Sequence, residues 1–184
     1  MRRLLFWAGI LLLIVINHAC RGLDGGEWIK LTGHTQGTTY NITYQSLDNT
    51  NYQENLEDLL RKFDMSLSTY IDSSLISRFN QDEKNLRADR FFLTCFNEAR
   101  RVFEETGGAF DITVAPVVNA WGFGFTEKSE IRPSLIDSLL QFVGMEKVSI
   151  EEGNIIEKKV EGAMLDMNAI AQGYAVDVLC EYMD

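Results

Sequence analysis

The stretch that decides the fold is Leu165-Asp166-Met167-Asn168-Ala169-Ile170-Ala171-Gln172-Gly173-Tyr174-Ala175-Val176-Asp177. The apolar run from Ala163 to Met167 predicts a buried strand, and a helix is predicted to begin near Ala169. Helix N-termini offer free N–H groups and a positive dipole end to an anion such as pyrophosphate. The spacing matches neither GxGxxG nor GxxxxGK[ST], which excludes these two nucleotide fingerprints but not nucleotide binding itself.

Strands and helices are interspersed along the rest of the chain without strict alternation. Helices are predicted over residues 51–69, 89–106 and 133–144, and strands over residues 28–31, 38–44, 147–151 and 155–160. This order favours an α+β fold, a mixed sheet with packed helices, over a doubly wound parallel sheet. The last helical stripe continues to Asp184 without a C-cap residue, so we expect the domain to be truncated there.

Composition excludes several classes of protein. The 184 residues are 46% hydrophobic and carry a formal net charge of −10. The first value is typical of a globular domain, and the second argues against a nucleic-acid-binding face. Three cysteines without a CxxC spacing argue against a zinc knuckle or a disulfide scaffold. Oxygen ligands are available, which would favour Mg²⁺ if a metal is bound.

The first nineteen residues are predicted to be a secretory signal. Two arginines precede an uncharged run from Leu4 to Ile16, which is too short to span a membrane. Ala19-Cys20 then resembles a bacterial lipoprotein cleavage site, which makes Cys20 the predicted lipidated N-terminus. An ordinary signal peptide or an uncleaved anchor is the alternative. Residues 20–27 are interpreted as a tether and 28–184 as the folded part.

Three further motifs suit a ligand site, and each also has a structural interpretation. Residues 66–80 place polar side chains and Tyr70 at a helix end. Gly107-Gly108 allow a close backbone approach, and Asp111 follows them at the mouth of a predicted apolar strand. The aromatic residues within 121–125 form either a stacking wall for a planar ligand or a hydrophobic plug.

Taken together, these stretches resemble the FAD:protein FMN transferases, the ApbE family of bacterial flavin-transferring lipoproteins. The resemblance is carried, in the family's order, by residues 36–38, 68–70, 77–80, 108–114, 119–124 and 166–177. It covers about the first half of the family domain and implies an ApbE-like, T-fold-related architecture. It also implies a location in the bacterial cell envelope, lipid-anchored and facing the periplasm or the cell exterior.

The family's reaction moves FMN from FAD to a threonine hydroxyl of an acceptor protein, requires Mg²⁺ and releases AMP. By resemblance, the FAD site is lined by Gln36, Tyr70, Ala109, Phe110, Asp111, Asp166 and Gln172. Ala169 would offer its backbone carbonyl to the metal. The family's other metal ligands, an aspartate and a threonine, lie beyond Asp184, so we expect this segment alone to be inactive.

Two positions depart from the family pattern. Gln36 stands where many members carry methionine, and Gln172 stands where lysine or glutamate is common. Gln172 keeps the capacity to form hydrogen bonds but lacks the charge of lysine or glutamate. A lipid-anchored, non-catalytic binding protein of the same fold and an FAD pyrophosphatase remain alternatives.

Overall fold

The computed structural model describes residues 26–123 and 130–183. These residues fall into two compact units. The first comprises residues 26–33 and 39–53, and the second comprises residues 34–38 and 54–183.

A β-hairpin opens the described chain. Its strands are β1 (Glu27–Thr35) and β2 (Thr38–Ser46). Both strands lie where they were predicted, but β1 extends further than expected and leaves only Gln36 and Gly37 for the turn. Their φ values are 51° and 72°, the left-handed pair that tight two-residue hairpins need. Gly33 is fixed by packing, since a Cβ there would lie 2.5 Å from the Tyr40 ring.

The second unit contains most of the helical structure. The helices of the described chain are α1 (Gln53–Leu67), α2 (Leu75–Asn80), α3 (Arg90–Glu105), α4 (Ala115–Ala120), α5 (Pro133–Leu140) and α6 (Asn168–Met183). The periodic patterns predicted α1, α3, α5 and α6 within a few residues of these bounds.

Helices α1 and α3 pack through an aromatic core. Phe63 lies 5.3 Å from Phe91 and 5.7 Å from Tyr174 of α6, measured between ring centroids. Asp89 caps α3 by accepting from the Phe92 N–H at 2.9 Å. The same carboxylate oxygen accepts from the Ser66 hydroxyl at 2.8 Å. One acid therefore starts α3 and ties it to α1.

A second hairpin pairs β3 (Val148–Glu151) with β4 (Ile155–Lys158) in antiparallel register, with Ile150 opposite Ile156. It was predicted around Gly153, which has a φ of 76°. The α+β class is therefore confirmed. Within residues 26–123 and 130–183 the strands form two two-stranded sheets.

The predicted strand from Ala163 to Met167 is wrong. The segment is irregular, although Ala163, Leu165 and Met167 are completely buried. Its backbone groups are paired with an asparagine side chain and with a carbonyl, not with a neighbouring strand. The Asp166 N–H, for example, donates to the Ile112 carbonyl at 2.8 Å. An apolar run predicts burial, and it does not specify the backbone's hydrogen-bond partners.

The predicted apolar strand after Asp111 is also absent. Residues Ile112–Val114 form a turn of 3₁₀ helix that leads directly into α4. The Asp111 side chain starts this turn by accepting from the Thr113 N–H at 2.8 Å. This local capping bond offers the β-branched residues an alternative to an extended conformation.

In the part of the chain that the structure describes, no helix is long and apolar enough to cross a membrane. The predicted signal and Cys20 lie outside the described residues.

Candidate functional site

Two cavities of the second unit flank helix α6. The smaller has a volume of about 150 Å³ and is lined by Gln36, Phe63, Asp64, Leu67, Ser68, Tyr70, Asn168, Ala171 and Gln172. The larger has a volume of about 740 Å³ and is lined by Thr94, Cys95, Glu98, Val102, Phe110, Ala169, Ile170, Gly173, Tyr174, Asp177 and Glu181. At 3.6 residues per turn, the α6 residues of the two sets lie on opposite faces of the helix.

The structure divides the predicted FAD-site residues between these cavities. Gln36, Tyr70 and Gln172 come from three distant segments and meet at the smaller cavity. Phe110 and the predicted metal ligand Ala169 line the larger cavity.

The remaining predicted residues, Ala109, Asp111 and Asp166, line neither of the two cavities. Ala109 is exposed in the loop directly before Phe110. Asp111 and Asp166 are both half-buried, and their backbones lie close together in space because the Asp166 N–H donates to the Ile112 carbonyl.

A buried threonine holds Asp111 in place. The Thr113 hydroxyl donates to Asp111 Oδ1 at 2.6 Å and accepts from the Gly144 N–H at 2.6 Å. Thr113 is fully buried, so this chain of bonds is shielded from water. Both bonds to Asp111 use Oδ1, and no bond to Oδ2 is formed by the residues that the structure describes.

The start of α6 differs from the sequence-based expectation. The Asn168 N–H is capped by Asp166 Oδ1 at 2.8 Å, and the N–H groups of Ile170 and Ala171 both donate to the Met167 carbonyl. The N–H groups of Asn168 and Ile170 are therefore not free for a pyrophosphate, whereas the Ala171 bond is an ordinary helical one. The Asp166 carboxylate itself occupies the positive end of the helix.

Asn80, one of the residues 77–80 that carry the family resemblance, is a positioning residue. Its Nδ2 donates to the Leu165 carbonyl at 2.9 Å, and its Oδ1 accepts from the Leu165 N–H at 2.8 Å. This reciprocal pair joins the end of α2 to the irregular segment that carries Asp166. The sequence signal was the motif Ser77-Arg78-Phe79-Asn80, but the sequence does not show that Asn80 pairs with Leu165.

Asp64 was missed altogether. It faces the smaller cavity from α1, and burial raises the pKa of its carboxyl, against hydrogen bonds from Thr35 and from the Gln36 backbone that lower it. The Asp64 Oδ1 and Gln36 Nε2 atoms are buried without a hydrogen-bond partner among the described residues. A single acid in an amphipathic helix gives no sequence signal of this kind.

Cys95 lines the larger cavity but is not a reactive thiol. It is buried, and desolvation, with a smaller contribution from Asp89, raises its pKa to about 12. The thiolate is the nucleophilic form, so burial suppresses its reactivity. Cys95 is therefore a small core residue of α3.

The aromatic stretch is only partly described. Trp121 and Phe123 are 46% and 76% exposed, whereas Gly124 and Phe125 lie outside the described residues. These two exposed rings do not form a buried plug. The stacking-wall interpretation remains a prediction.

The described residues do not make a magnesium site by themselves. In residues 26–123 and 130–183 no group of three or more His, Cys, Asp or Glu side chains is arranged to hold a metal ion. Mg²⁺ usually takes one or two carboxylates together with water and substrate phosphates. The Ala169 carbonyl alone does not meet that need.

Comparisons with known proteins support the family resemblance. Residues 36–184 match the family model described as "ApbE family". The chain is 35% identical over 165 residues to the FAD:protein FMN transferase of Vibrio cholerae, covering 85% of this chain and 49% of the relative. It is 33% identical to the Haemophilus influenzae protein of the same name, with the same coverage of both chains.

Solved structures show the same likeness. The flavin transferase ApbE from Vibrio cholerae superimposes with a TM-score of 0.79 at 34% identity, over 85% of this chain and 53% of that one. The apo form of the Pseudomonas stutzeri flavinyl transferase ApbE gives a TM-score of 0.77 at 30% identity, over 87% and 53%. The chain spans about half the length of the curated relatives it matches. On the family match and the shared fold, the chain belongs to the ApbE family.

Proposed function

We propose that this chain supplies the flavin-nucleotide site of a transferase that moves FMN from FAD to a threonine hydroxyl of an acceptor protein and releases AMP. Mg²⁺ is part of the proposal, because a cation neutralises charge on the phosphates. The names of the relatives support flavin transfer, and the threonine, the metal and the AMP product are inferred from family resemblance.

The observation that carries the proposal is the smaller cavity, where Gln36, Tyr70 and Gln172 meet from three distant segments of the chain. All three are FAD-site positions by the family resemblance. Phe110 and Ala169, two further positions that the resemblance implies, line the larger cavity on the other face of α6.

The chemistry requires positioning more than reactive side chains. The threonine oxygen forms a bond to the FMN phosphorus, the bond from that phosphorus to the bridging oxygen breaks so that AMP leaves with this oxygen, and the hydroxyl proton passes to the solvent. Phosphoryl transfer of this kind depends on alignment and charge stabilisation. Thr113 fixing Asp111 and Asn80 fixing the Asp166 segment are contributions of that type.

Cell-envelope location is the second part of the proposal. The predicted lipidated Cys20 would anchor the mature protein, and the folded part would meet its acceptor outside the cytoplasm. The arrangement of a basic start, an apolar run and Ala19-Cys20 supports this part.

A transfer assay tests the proposed activity. The full protein that carries this chain is incubated with FAD, Mg²⁺ and a threonine-bearing acceptor, and covalent flavin is read as fluorescence on a denaturing gel. We expect a fluorescent acceptor band that is absent with EDTA and with a Thr→Ala acceptor. Free FMN and AMP without a labelled acceptor would instead establish an FAD pyrophosphatase, and FAD binding without turnover would establish a binding protein.

A further inference from the structure

One face of the β1–β2 hairpin is polar and exposed. Side chains alternate between the two faces of a strand, and from Trp28 in β1 and Thr39 in β2 every second residue is exposed, while the residues between are buried or half-buried. In the first unit we define the hairpin face by the exposed residues Trp28, Lys30, Thr32, Asn41, Thr43 and Gln45. An antiparallel pair with one polar side presents that side to solvent or to a polar surface.

The hairpin face carries no acid, although the chain as a whole is strongly acidic. No aspartate or glutamate occurs between Trp28 and Leu47, whereas the chain's average of 27 acids in 184 residues would place about three in a stretch of that length. Lys30 is the one charged residue of the face, and it makes no ion pair with the residues that the structure describes. A net charge of −10 repels an anionic surface, so a face with an unpaired cation and no acid reverses that repulsion locally.

Trp28 adds a large ring with one polar edge to the same face. Its side chain is 64% exposed, and it lies two residues from Lys30, which is about 7 Å along a strand. A single exposed ring needs no special explanation by itself. Tryptophan is, however, favoured in the headgroup region of a lipid bilayer, where the ring meets apolar chains and the N–H stays hydrated. A tryptophan beside an unpaired lysine therefore suits a phospholipid surface.

The predicted lipid anchor keeps this face close to a membrane. Seven residues lead from Cys20 to Glu27, the first residue of β1, and they span at most roughly 25 Å when fully extended. Trp28 is the next residue. The start of the hairpin therefore stays within about 25 Å of a lipid that modifies Cys20.

We propose that the hairpin face docks on the anionic phospholipid surface of the membrane that holds the anchor, with Trp28 in the headgroup region and Lys30 against lipid phosphates. This inference rests on the second part of the proposed function, the lipid-anchored location. It goes beyond that part, because it gives the first unit a defined side toward the membrane. The contact is too small to retain the protein without the acyl chains, so it orients an anchored protein and does not replace the anchor.

The fluorescence of Trp28 in vesicles tests this inference. The full lipidated protein is reconstituted into vesicles of phosphatidylcholine and phosphatidylglycerol, with and without lipids brominated in their acyl chains. The Trp28 signal is the difference between wild type and Trp28→Phe, which removes the contribution of every other tryptophan. We expect this signal to lie at shorter wavelength than in the detergent-free soluble Cys20→Ala protein and to be quenched by the brominated lipids.

Lys30→Glu should abolish most of the quenching, and high salt should weaken it, because both remove the attraction to lipid phosphates. For this comparison the Trp28 signal of each lysine variant is again the difference from the same variant with Trp28→Phe. Lys84→Glu is the matched control, since Lys84 is an exposed lysine of the second unit and the change in net charge is identical. Its quenching should equal that of wild type. Each variant is also tested for FAD binding, which should be unchanged.

An anchored protein whose Trp28 signal is not quenched would overturn the inference and would leave the hairpin face to a protein partner or to solvent. Equal quenching in Lys30→Glu and Lys84→Glu would also overturn it, because the attraction would then not depend on this face. A wild-type protein whose Cys20 carries no lipid by mass spectrometry would instead refute the proposed location.

Discussion

Replacing Asn80 with alanine should destabilise the protein through a segment that is far away in sequence. Asn80 makes two hydrogen bonds to the backbone of Leu165, at 2.8 and 2.9 Å. Leu165 is completely buried, so water does not replace the lost partners. Alanine therefore removes two bonds and leaves a buried N–H and a buried carbonyl unpaired.

The magnitude follows from these two groups. A buried polar group that loses its partner costs about 1–3 kcal/mol, so two such groups give roughly 2–5 kcal/mol after partial relaxation. This is a large share of a typical unfolding free energy of about 5–15 kcal/mol. Asn80→Asp should cost less than alanine does, because a carboxylate still accepts from the Leu165 N–H but no longer donates to its carbonyl.

Urea unfolding of the full protein measures the effect, with Asn97→Ala as the matched control. Asn97 is exposed on α3, so its loss should change the free energy of unfolding by about 0.5 kcal/mol or less. The folded Asn80→Ala protein should also bind FAD more weakly, because the segment that carries Asp166 is no longer held. Equal unfolding free energies for Asn80→Ala and Asn97→Ala would refute the reasoning.

Three further predictions follow from single positions. Burial raises the pKa of Asp64 in the native state above its ordinary value of 3.8. Wild-type stability should therefore fall as pH rises from 3.8 through the native-state pKa of Asp64, because the buried carboxyl then ionises. The stability gain of Asp64→Asn over wild type should grow with pH over that range, as measured by urea titrations. Asp58→Asn should show the opposite trend, since the Lys62 hydrogen bond lowers the pKa of Asp58. A Cβ at Gly173 would meet no atom within 4 Å, so Gly173→Ala should stabilise α6 by about 1 kcal/mol in thermal unfolding. The same variant should weaken FAD binding if the ligand lies against the larger cavity, which Gly173 lines. Unchanged binding would place the ligand elsewhere. Cys20→Ala should lose membrane retention on fractionation because it lacks the lipidated thiol, and equal retention of both proteins would remove the anchor hypothesis.

Local elements of the fold were predictable because their signals are local. The stripe of α3 repeats at helical spacing, Asp89 caps it, and the hairpin around Gly153 follows turn chemistry. Each signal lies within a few residues of the element it specifies. The structure therefore matches the prediction closely there.

The two segments that were wrongly predicted to be strands are held by distant partners. Leu165 lies in an apolar run that is typical of a buried strand, but its backbone hydrogen bonds are made with the side chain of Asn80, 85 residues away. Thr113 is β-branched and suits a strand, but Asp111 caps a turn there and the Gly144 N–H, 31 residues away, donates to the Thr113 hydroxyl. The distant partners, Asn80 and Gly144, are not visible from local sequence.

The candidate site was predicted only in part, and that prediction came from family resemblance and not from local sequence patterns. Gln36, Tyr70 and Gln172 were identified through family resemblance, and their meeting at one cavity depends on the tertiary fold. Asp64 carries no motif, and only its burial and its unpaired oxygen distinguish it from the other acids of α1.

The central claim is that this fold binds FAD through the elements around α6, and a titration of flavin fluorescence tests it most directly. The full protein is titrated with FAD as wild type, Asp111→Ala and Asp166→Ala, each first shown to be folded. We predict saturable binding by wild type and a loss of about 1–3 kcal/mol in each variant, because the family resemblance implies that each carboxylate contacts the bound nucleotide. Both acids also cap local turns, so variants that melt earlier but bind FAD as wild type does would contradict the assigned residues. A folded wild-type protein that does not bind FAD would contradict the claim itself.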